Sequence, residues 1–256
     1  MMLRIVKYVA IEILRGRIAL AYAGFLLVAS LGLFNLGGDT AKALVGLLSL
    51  VLMIVPLVSL VFATTHFYNT QEFVELLAAQ PLPRTTILLA QMIGVMLALA
   101  AALLVGIAVP VLLYAGTVTG LTLIAVALLL TAVFTALAFV AAVLARDKAR
   151  GIGAALLIWF YFGLLHDGVT LYVLFLLEDF PLEGISLTLL ALNPIDLGRV
   201  LVLLQMDVSA LMGYTGAMLK DLLGTGTGKL FATLVLGAWI ALPVGAAVWI
   251  FRRKDL

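Results

Sequence analysis

The sequence predicts an all-α polytopic membrane protein with six transmembrane helices. Of its 256 residues, 65% are hydrophobic and only 11% are charged, and the mean hydropathy is +1.28. A soluble domain is typically about 45–50% apolar. Six apolar segments each come near or above the ~20 residues that a helix needs to cross a bilayer. The chain has no cysteine, which excludes disulfide frameworks, thiolate metal sites and cysteine nucleophiles.

Residues 1–16 are predicted to form an amphipathic helix that lies in the membrane surface. At about 100° per residue, the polar and the apolar side chains fall on opposite arcs. The polar arc holds Arg4, Lys7, Tyr8, Glu12 and Arg15, with Ile11 among them, and the apolar arc holds Ile5, Val6, Val9 and Ile13. Gly16 then offers a bend before the first span. The alternative is that this segment is only a basic flank of that span.

The six predicted spans belong to a single transmembrane domain that covers residues 1–256. They are residues 18–36, 43–63, 87–114, 121–144, 152–177 and 231–251. An even number of spans returns the chain to the side on which it started. The connection before the last span, residues 178–230, is long enough to hold helices of its own, and we predict a helical outer segment there.

A polar segment, residues 69–86, separates the second and third spans. Asn69 is predicted to cap a short helix, with Glu72 reaching back toward the cap. Pro81 and Pro83 end this helix, because proline has no amide donor and disfavours a helical conformation in the residue before it. A helix of about two and a half turns is too short to cross a bilayer. The segment is therefore predicted to face a partner.

The helix within residues 69–86 has one apolar face. Phe73, Leu76 and Leu77 recur at i, i+3 and i+4, while Glu72 and Glu75 occupy other positions. We expect the apolar face to be buried against a partner or against the floor of the bundle. The acidic residues would then lie at the edges of that contact.

The distribution of basic residues predicts the orientation in a bacterial inner membrane. The side that holds both termini carries eleven, namely Arg4, Lys7, Arg15, Arg17, Arg84, Arg146, Lys148, Arg150, Arg252, Arg253 and Lys254. The other side carries four, namely Lys42, Arg199, Lys220 and Lys229. The positive-inside rule therefore places both termini and the 69–86 segment in the cytoplasm, and residues 178–230 outside.

Residues 224–230, GTGTGKL, resemble a phosphate-binding loop but lack two of its positions. Such a loop needs a glycine five residues before the glycine of Gly-Lys, and Ser or Thr after the lysine. Leu223 and Leu230 occupy those places. We interpret the segment as a flexible connection into the last span. No nucleotide or other cofactor is expected on this chain, and ATP hydrolysis would need a separate subunit.

His166 and Asp167 are the ionisable residues deepest within a predicted span. Charge is costly in hydrocarbon, so they are candidates for the cargo path, a proton relay or metal binding through imidazole and carboxylate. Alternatively, the span ends near Leu165 and the pair lies in a turn at the surface. Because residues 152–165 cover only about 21 Å at 1.5 Å per residue, we expect a broken span with a wet middle.

Methionines provide weaker candidates. Met206, Met212 and Met218 recur every six residues, and thioethers suit copper(I), but six-residue steps turn a helix by about 240° and do not keep one face. Met92 and Met96 do share a face and are candidates for the cargo path. Methionine is also common filler between packed helices.

These features together resemble the permeases of the type-2 ATP-binding-cassette exporter family. The resemblance rests on the amphipathic entry helix, the six spans, the long outer segment and the stretch ELLAAQPLPRTTILLAQ. In that family a motif much like E-x-L-L-x-x-P-x-x-R serves as a coupling helix that docks on the cytoplasmic ATPase. The resemblance assigns coupling roles to Glu75, Leu76, Leu77, Pro81 and Arg84, with Glu72 and Phe73 beside them.

The same resemblance implies the assembly. Two copies of this chain would form the cargo path over two separate ATPase subunits, which bind ATP and Mg, so the chain itself is not expected to be an enzyme. ATP-driven closure of the ATPases would push on the 69–86 helix and tilt the second and third spans.

A second likeness lies in the outer segment. LNPIDLGRV, residues 192–200, together with MDVSALMGYTGAMLK and FRRKDL, is similar to the permeases of nitrous-oxide-reductase maturation, a copper-processing exporter system. Asn193, Pro194, Asp196 and Arg199 carry the likeness. It implies a periplasmic accessory protein and the maturing reductase as partners, with copper ions or a sulfur species as cargo. Asn-Pro followed by Asp also fits a purely structural turn and cap.

Three other functions stay open at this stage. A generic exporter of the same family would carry a lipid-like or drug-like cargo. An ion-coupled secondary transporter should show inverted repeats or discontinuous helices in matching halves, and the sequence gives one suspected break. A membrane-embedded enzyme would need a nucleophile, a base and an orienting group, of which His166 and Asp167 supply too few.

Overall fold

The computed structural model describes residues 2–36, 38–78, 83–179, 182–206 and 213–253. All regular elements in these ranges are helices, as predicted. They are α1 (Met2–Arg15), α2 (Arg17–Leu36), α3 (Thr40–Asn69), α4 (Gln71–Ala78), α5 (Arg84–Tyr114), α6 (Val118–Leu144), α7 (Lys148–Leu176), α8 (Leu182–Ala191), α9 (Pro194–Met206) and α10 (Gly213–Arg253).

Six of these helices are long and apolar enough to cross a membrane, which confirms the predicted number of spans. They are α2, α3, α5, α6, α7 and the part of α10 from Gly226 to Arg253. Since each span reverses the direction of the chain, α1, α4 and the connection at Asp147 lie at one end of the bundle with Arg253. We call this the terminal end, and the opposite one the far end.

Helix α6 forms the centre of the bundle. Its sequence has no charged residue between Val118 and Leu144, so it is apolar on all sides, as expected of a helix that is surrounded by others. It packs against α3, α5, α9 and α10. Phe134 and Phe139 are among its fully buried side chains.

Helix α1 is amphipathic as predicted. Its buried residues are Ile5, Val6, Val9 and Ile13. They pack on α5, where Gly94 leaves room, since a Cβ at that position would lie 2.7 Å from Val9 Cγ1. The apolar face of α1 is thus covered by the third span. That α1 lies in the membrane surface remains a prediction.

A hydrogen bond from Ser30 joins the first and third spans. In an α-helix the Gly106 carbonyl would accept from the amide four residues later, but that residue is Pro110, which has no N–H. The helix takes a π-helical turn at Leu104–Ala108. The Ser30 hydroxyl lies 3.0 Å from the Gly106 carbonyl and 2.6 Å from that of Leu26 in its own helix. The hydroxyl proton of Ser30 is thus shared between the Leu26 carbonyl and the Gly106 carbonyl that proline leaves without a donor.

The fifth span is not broken at His166, so that expectation is wrong. Residues from Lys148 to Leu176 form one span, with a π-helical turn at Tyr161–Leu165. The helix therefore continues through the π-turn without a break.

The bend lies instead in the segment before the last span. Helices α8 and α9 are each too short to cross a bilayer, and they meet at 110°. At their joint the Ala191 carbonyl accepts from Trp239 Nε1, in the middle of the last span, at 2.9 Å. At the other end of α9, Gln205 bonds to Lys229, near the start of that span. The pair therefore dips into the bundle from the far end and returns, so the predicted outer segment is largely a re-entrant hairpin.

The predicted flexible connection at residues 224–230 is also wrong. These residues belong to α10, which runs without a break from Gly213 to Arg253. A helix pairs the backbone groups of this glycine-rich stretch within the segment itself, as a bilayer requires.

We expect Ser30→Ala to lower the unfolding free energy by about 1 kcal/mol, because it leaves the Gly106 carbonyl without its donor. In a Pro110→Ala background, the new amide can donate to that carbonyl, and the same substitution should cost close to nothing. Reversible unfolding in mixed micelles would measure both. Ser49→Ala, which removes a hydroxyl that bonds within its own helix, is the control. Equal costs in the two backgrounds would contradict this role of Ser30.

Candidate functional site

Helix α4 lies at the terminal end between the second and third spans. Its predicted start is wrong, because Asn69 is the last residue of α3 and does not cap α4. The chain passes through Thr70, whose carbonyl accepts from the Val74 amide at 2.9 Å. The Thr70 hydroxyl bonds back to the His66 carbonyl at 2.9 Å and lies 3.0 Å from Gln91 Oε1 in α5. Thr70 therefore joins α3, α4 and α5 at one point.

Within this chain, α4 buries only part of its apolar surface, and burial of the rest against a partner stays a prediction. Val74, which the sequence analysis did not single out, is buried, and Phe73 packs its ring 5.7 Å from that of Tyr8 in α1. Leu76 is 69% exposed. The apolar stripe is thus divided, with one part against the bundle and Leu76 directed away from it. Glu72 is exposed as well.

The other predicted coupling residues are described only in part. Arg84 is the first residue of α5 and is exposed. The side chains of Glu75 and Leu77, and the whole of Pro81, lie outside the described residues.

The end of α3, directly before α4, is hydrogen-bonded to the fourth span and to the start of the fifth. Lys148 Nζ donates to Asn69 Oδ1 at 2.8 Å, and the Tyr68 hydroxyl donates to the Ala142 carbonyl at 3.0 Å. Gly151 lies so close to the Tyr68 ring that a Cβ there would be 2.5 Å from its Cε2. A displacement of α4 would therefore act on α3, α5 and the start of α7 together.

A second polar site lies inside the bundle toward the far end, where α7 meets α9. The carboxylate of Asp196 is 3.0 Å from the Arg199 guanidinium, which also lies 3.5 Å from the Asp167 carboxylate. The Asp196 side chain is 12% exposed and that of Asp167 is 49% exposed. One arginine thus bridges the fifth span and the hairpin. We call Asp167, Asn193, Asp196, Arg199 and His166 the clasp.

Asn193 holds the hairpin joint to the π-turn of α7. In an α-helix the His166 amide would donate to the Phe162 carbonyl, but here it donates to that of Tyr161. Asn193 Nδ2 donates to the Phe162 carbonyl at 3.1 Å and to Asp196 Oδ2 at 2.8 Å. Its Oδ1 accepts from the Ile195 amide at 3.0 Å and so caps α9.

His166 completes the clasp from within α7. It is buried, with Nδ1 3.6 Å from Asp196 Oδ2 and 3.4 Å from the Thr170 hydroxyl. The ligand atoms of His166, Asp167 and Asp196 lie within 4.8 Å of one another, which is close enough to suit a metal ion. The guanidinium of Arg199, however, already lies against both carboxylates. The arrangement therefore acts as an ion-pair network between two elements.

The structure unites two predicted groups. His166 and Asp167 were candidates for the cargo path and Asn193, Pro194, Asp196 and Arg199 for binding a periplasmic partner, yet all but Pro194 form this network. Asn193 and Pro194 are buried, so within this chain they offer no surface to another protein. Arg199 is partly exposed, and docking of a partner at the far end remains a prediction.

The methionine candidates are divided between the core and residues outside the description. Met92 is fully buried, and Met96 packs against the core from a partly buried position. Both positions agree with methionine as filler between helices, and a role in the cargo path stays a prediction. Met206 is the last residue of α9. Met212 and the side chain of Met218 lie outside the described residues.

Comparison with known proteins supports the reading of the fold. Residues 4–256 match the family described as ABC-2 family transporter protein. A protein of Pseudomonas aeruginosa named probable ABC transporter permease protein NosY is 30% identical over 264 aligned positions, which cover 95% of this chain and 94% of the relative. A protein of the same name from Stutzerimonas stutzeri is 31% identical, with 94% of each chain covered.

The match extends over nearly the whole chain, so it includes the six spans, α4 and the re-entrant hairpin. The two relatives are of almost the same length as this chain, since the aligned region covers similar shares of both. The chain therefore belongs to the ABC-2 family of transporters, as a membrane-spanning permease.

Proposed function

We propose that two copies of this chain form the cargo path of an ATP-driven exporter in a bacterial inner membrane, with both termini in the cytoplasm. A separate ATPase dimer binds ATP and Mg²⁺ and docks on α4. The cargo is a copper ion or a sulfur species for the maturation of nitrous oxide reductase. That last part rests on the printed name of the two relatives and on the likeness of residues 192–200.

The observation that carries the proposal is the position of Leu76. A large apolar side chain that is 69% exposed at the terminal end of the bundle is stabilised when a partner covers it. Val74 and Phe73 fix α4 to the bundle by its other face, so Leu76 is presented on a supported element. This is the arrangement that a docking helix needs.

The contacts of α4 provide a route by which an ATP-driven movement of the ATPases would reach the spans. Thr70 links α4 to both α3 and α5, and Lys148 links the end of α3 to the start of α7. Pressure on α4 would therefore tilt the second, third and fifth spans together. At the far end of the fifth span, the clasp connects this movement to the hairpin. Opening and closing at the two ends would then be coupled through α7.

An ion-coupled secondary transporter is a weaker alternative. Such a protein would be expected to have discontinuous helices in matching halves. In the described residues the bent pair is α8 with α9, in the second half, and α2, α3 and α5 each run as one span.

Leu76→Ser should uncouple ATP hydrolysis from transport while the bundle still folds, because the side chain is exposed and contributes little to the core. We expect transport to fall about tenfold or more, as for the loss of an interface anchor worth ~1–2 kcal/mol. ATP-dependent uptake into inverted vesicles would measure this. Leu36→Ser, at the far end and 89% exposed, is the matched control and should change little.

The same preparation tests the partner. A phosphate-loop ATPase should co-purify with the wild-type permease and less with the Leu76→Ser variant. Absence of such an ATPase, or full coupling after substitution of Glu75 and Arg84, would contradict the docking role of α4. Mass spectrometry of the complex purified with a hydrolysis-deficient ATPase would identify the cargo.

Amide substitutions in the clasp should destabilise the fold more when the carboxylate that they replace is more deeply buried. Asp196→Asn removes a buried charge that pairs with Arg199, and we expect it to destabilise the fold by about 3–5 kcal/mol. Asp167→Asn changes a half-exposed partner and should cost about 0–1 kcal/mol. Unfolding followed by tryptophan fluorescence would report both, since Trp159 and Trp239 lie beside the hairpin. Equal effects would mean that Arg199 is not held mainly by Asp196.

A further inference from the structure

A long groove separates the first two spans at the terminal end. Its cavity has a volume of about 830 Å³ and is bounded by the end of α1, the start of α2 and one face of α3. A water molecule takes up about 30 Å³ in the liquid, so the space suits a much larger occupant. Ile18 in the wall is 63% exposed, which shows that the groove opens toward the surroundings of the bundle.

The lining of the groove changes from apolar to polar along α3. The helix contributes pairs of residues at four-residue steps, at positions 57 and 58, 61 and 62, 65 and 66, and 69 and 70. The first two pairs are Leu57, Val58, Val61 and Phe62, and the last two are Thr65, His66, Asn69 and Thr70. Since these positions span about 20 Å at 1.5 Å per residue, the gradient follows the depth of one bilayer leaflet.

Positive charge lies at the polar end of this gradient. Arg17 lines the mouth and is exposed, and the Lys148 ammonium is bonded to Asn69, another lining residue. Among the described residues that line the groove, Glu12 is the one acidic residue. The mouth is therefore suited to an anionic group with several acceptor oxygens, and an arginine suits phosphate in particular.

We propose that this groove holds one resident phospholipid of the bilayer, with its phosphate at Arg17 and an acyl chain along residues 57–62. The polarity of the lining matches that of the lipid at both ends, and the Arg17 guanidinium at the mouth can pair with the phosphate. The lipid fills the space between α1 and α3, and so supports α1 beside the helix that leads into α4.

Native mass spectrometry of the purified permease tests the site. After delipidation and titration with phosphatidylglycerol, the wild type should bind one molecule tightly. Arg17→Gln should weaken that binding about tenfold, as expected for a lost bond to a charged group. Arg15→Gln is the matched control, because Arg15 is exposed two residues away but does not line the groove, and its affinity should stay within about twofold of the wild type.

A second pair of variants tests the apolar end. Val61→Trp should fill the groove and abolish the tight site, whereas Val28→Trp, at a 73% exposed position on α2, should leave it intact. If Val61→Trp does not fold, the two arginine variants decide the question. Equal binding by the wild type and Arg17→Gln would overturn the proposal.

A transport assay distinguishes a resident lipid from a cargo lipid. The permease with its co-purifying subunits, reconstituted with fluorescently labelled phosphatidylglycerol, should not move the label to the other leaflet when ATP is added. The native spectrum should also show the same lipid occupancy before and after turnover. ATP-dependent movement of the label, or its release from the groove, would overturn the assignment of a resident lipid.

Discussion

The constraint on which this structure depends is that backbone carbonyls inside a bilayer must find donors within the protein. The helices of this chain break their regular pattern at prolines, π-turns and the hairpin joint, and side chains of other spans bond to carbonyls at these places. Ser30 bonds to Gly106, Asn193 to Phe162 and Trp239 to Ala191. The carbonyls at these irregular positions therefore form hydrogen bonds that join different helices.

The positions of these bonds explain why the functional elements lie where they do. The π-turn of α7 leaves the Phe162 carbonyl open to Asn193, and this bond seats the hairpin joint beside His166. The hairpin can then place Asp196 and Arg199 against Asp167. In this network the Arg199 guanidinium lies against both carboxylates, and Asp196 Oδ2 also accepts from Asn193 Nδ2. The clasp is thus a consequence of how the backbone of the fifth span is satisfied.

The terminal end follows a different principle. There α4 is held by Val74, Phe73 and the junction at Thr70, and its remaining apolar surface points outward at Leu76. The groove between α1 and α3 lies beside this junction, with an apolar floor and a basic mouth. This chain leaves both surfaces uncovered, and we propose the ATPase as the partner at Leu76 and a phospholipid as the occupant of the groove. A permease that receives force at this end would need it to be supported from the membrane side as well.

Local pattern in the sequence was sufficient for the all-helical class, the six spans and the buried face of α1, because hydropathy and helical periodicity depend on neighbouring residues alone. The terminal motif around Leu76 was also visible, but its division between Val74 and Leu76 was not. That division depends on where Tyr8 and α5 lie.

The sequence by itself therefore determined which segments enter the membrane and which polar residues would be costly there. Only the tertiary structure decided how those residues are satisfied. The sequence shows His166 and Asp167 as ionisable residues within one span. It shows Asn193, Asp196 and Arg199 as a motif in a different segment. Their union across about thirty residues depends on a 110° bend and a π-turn, and both arise from contacts between distant parts of the chain that no local pattern specifies.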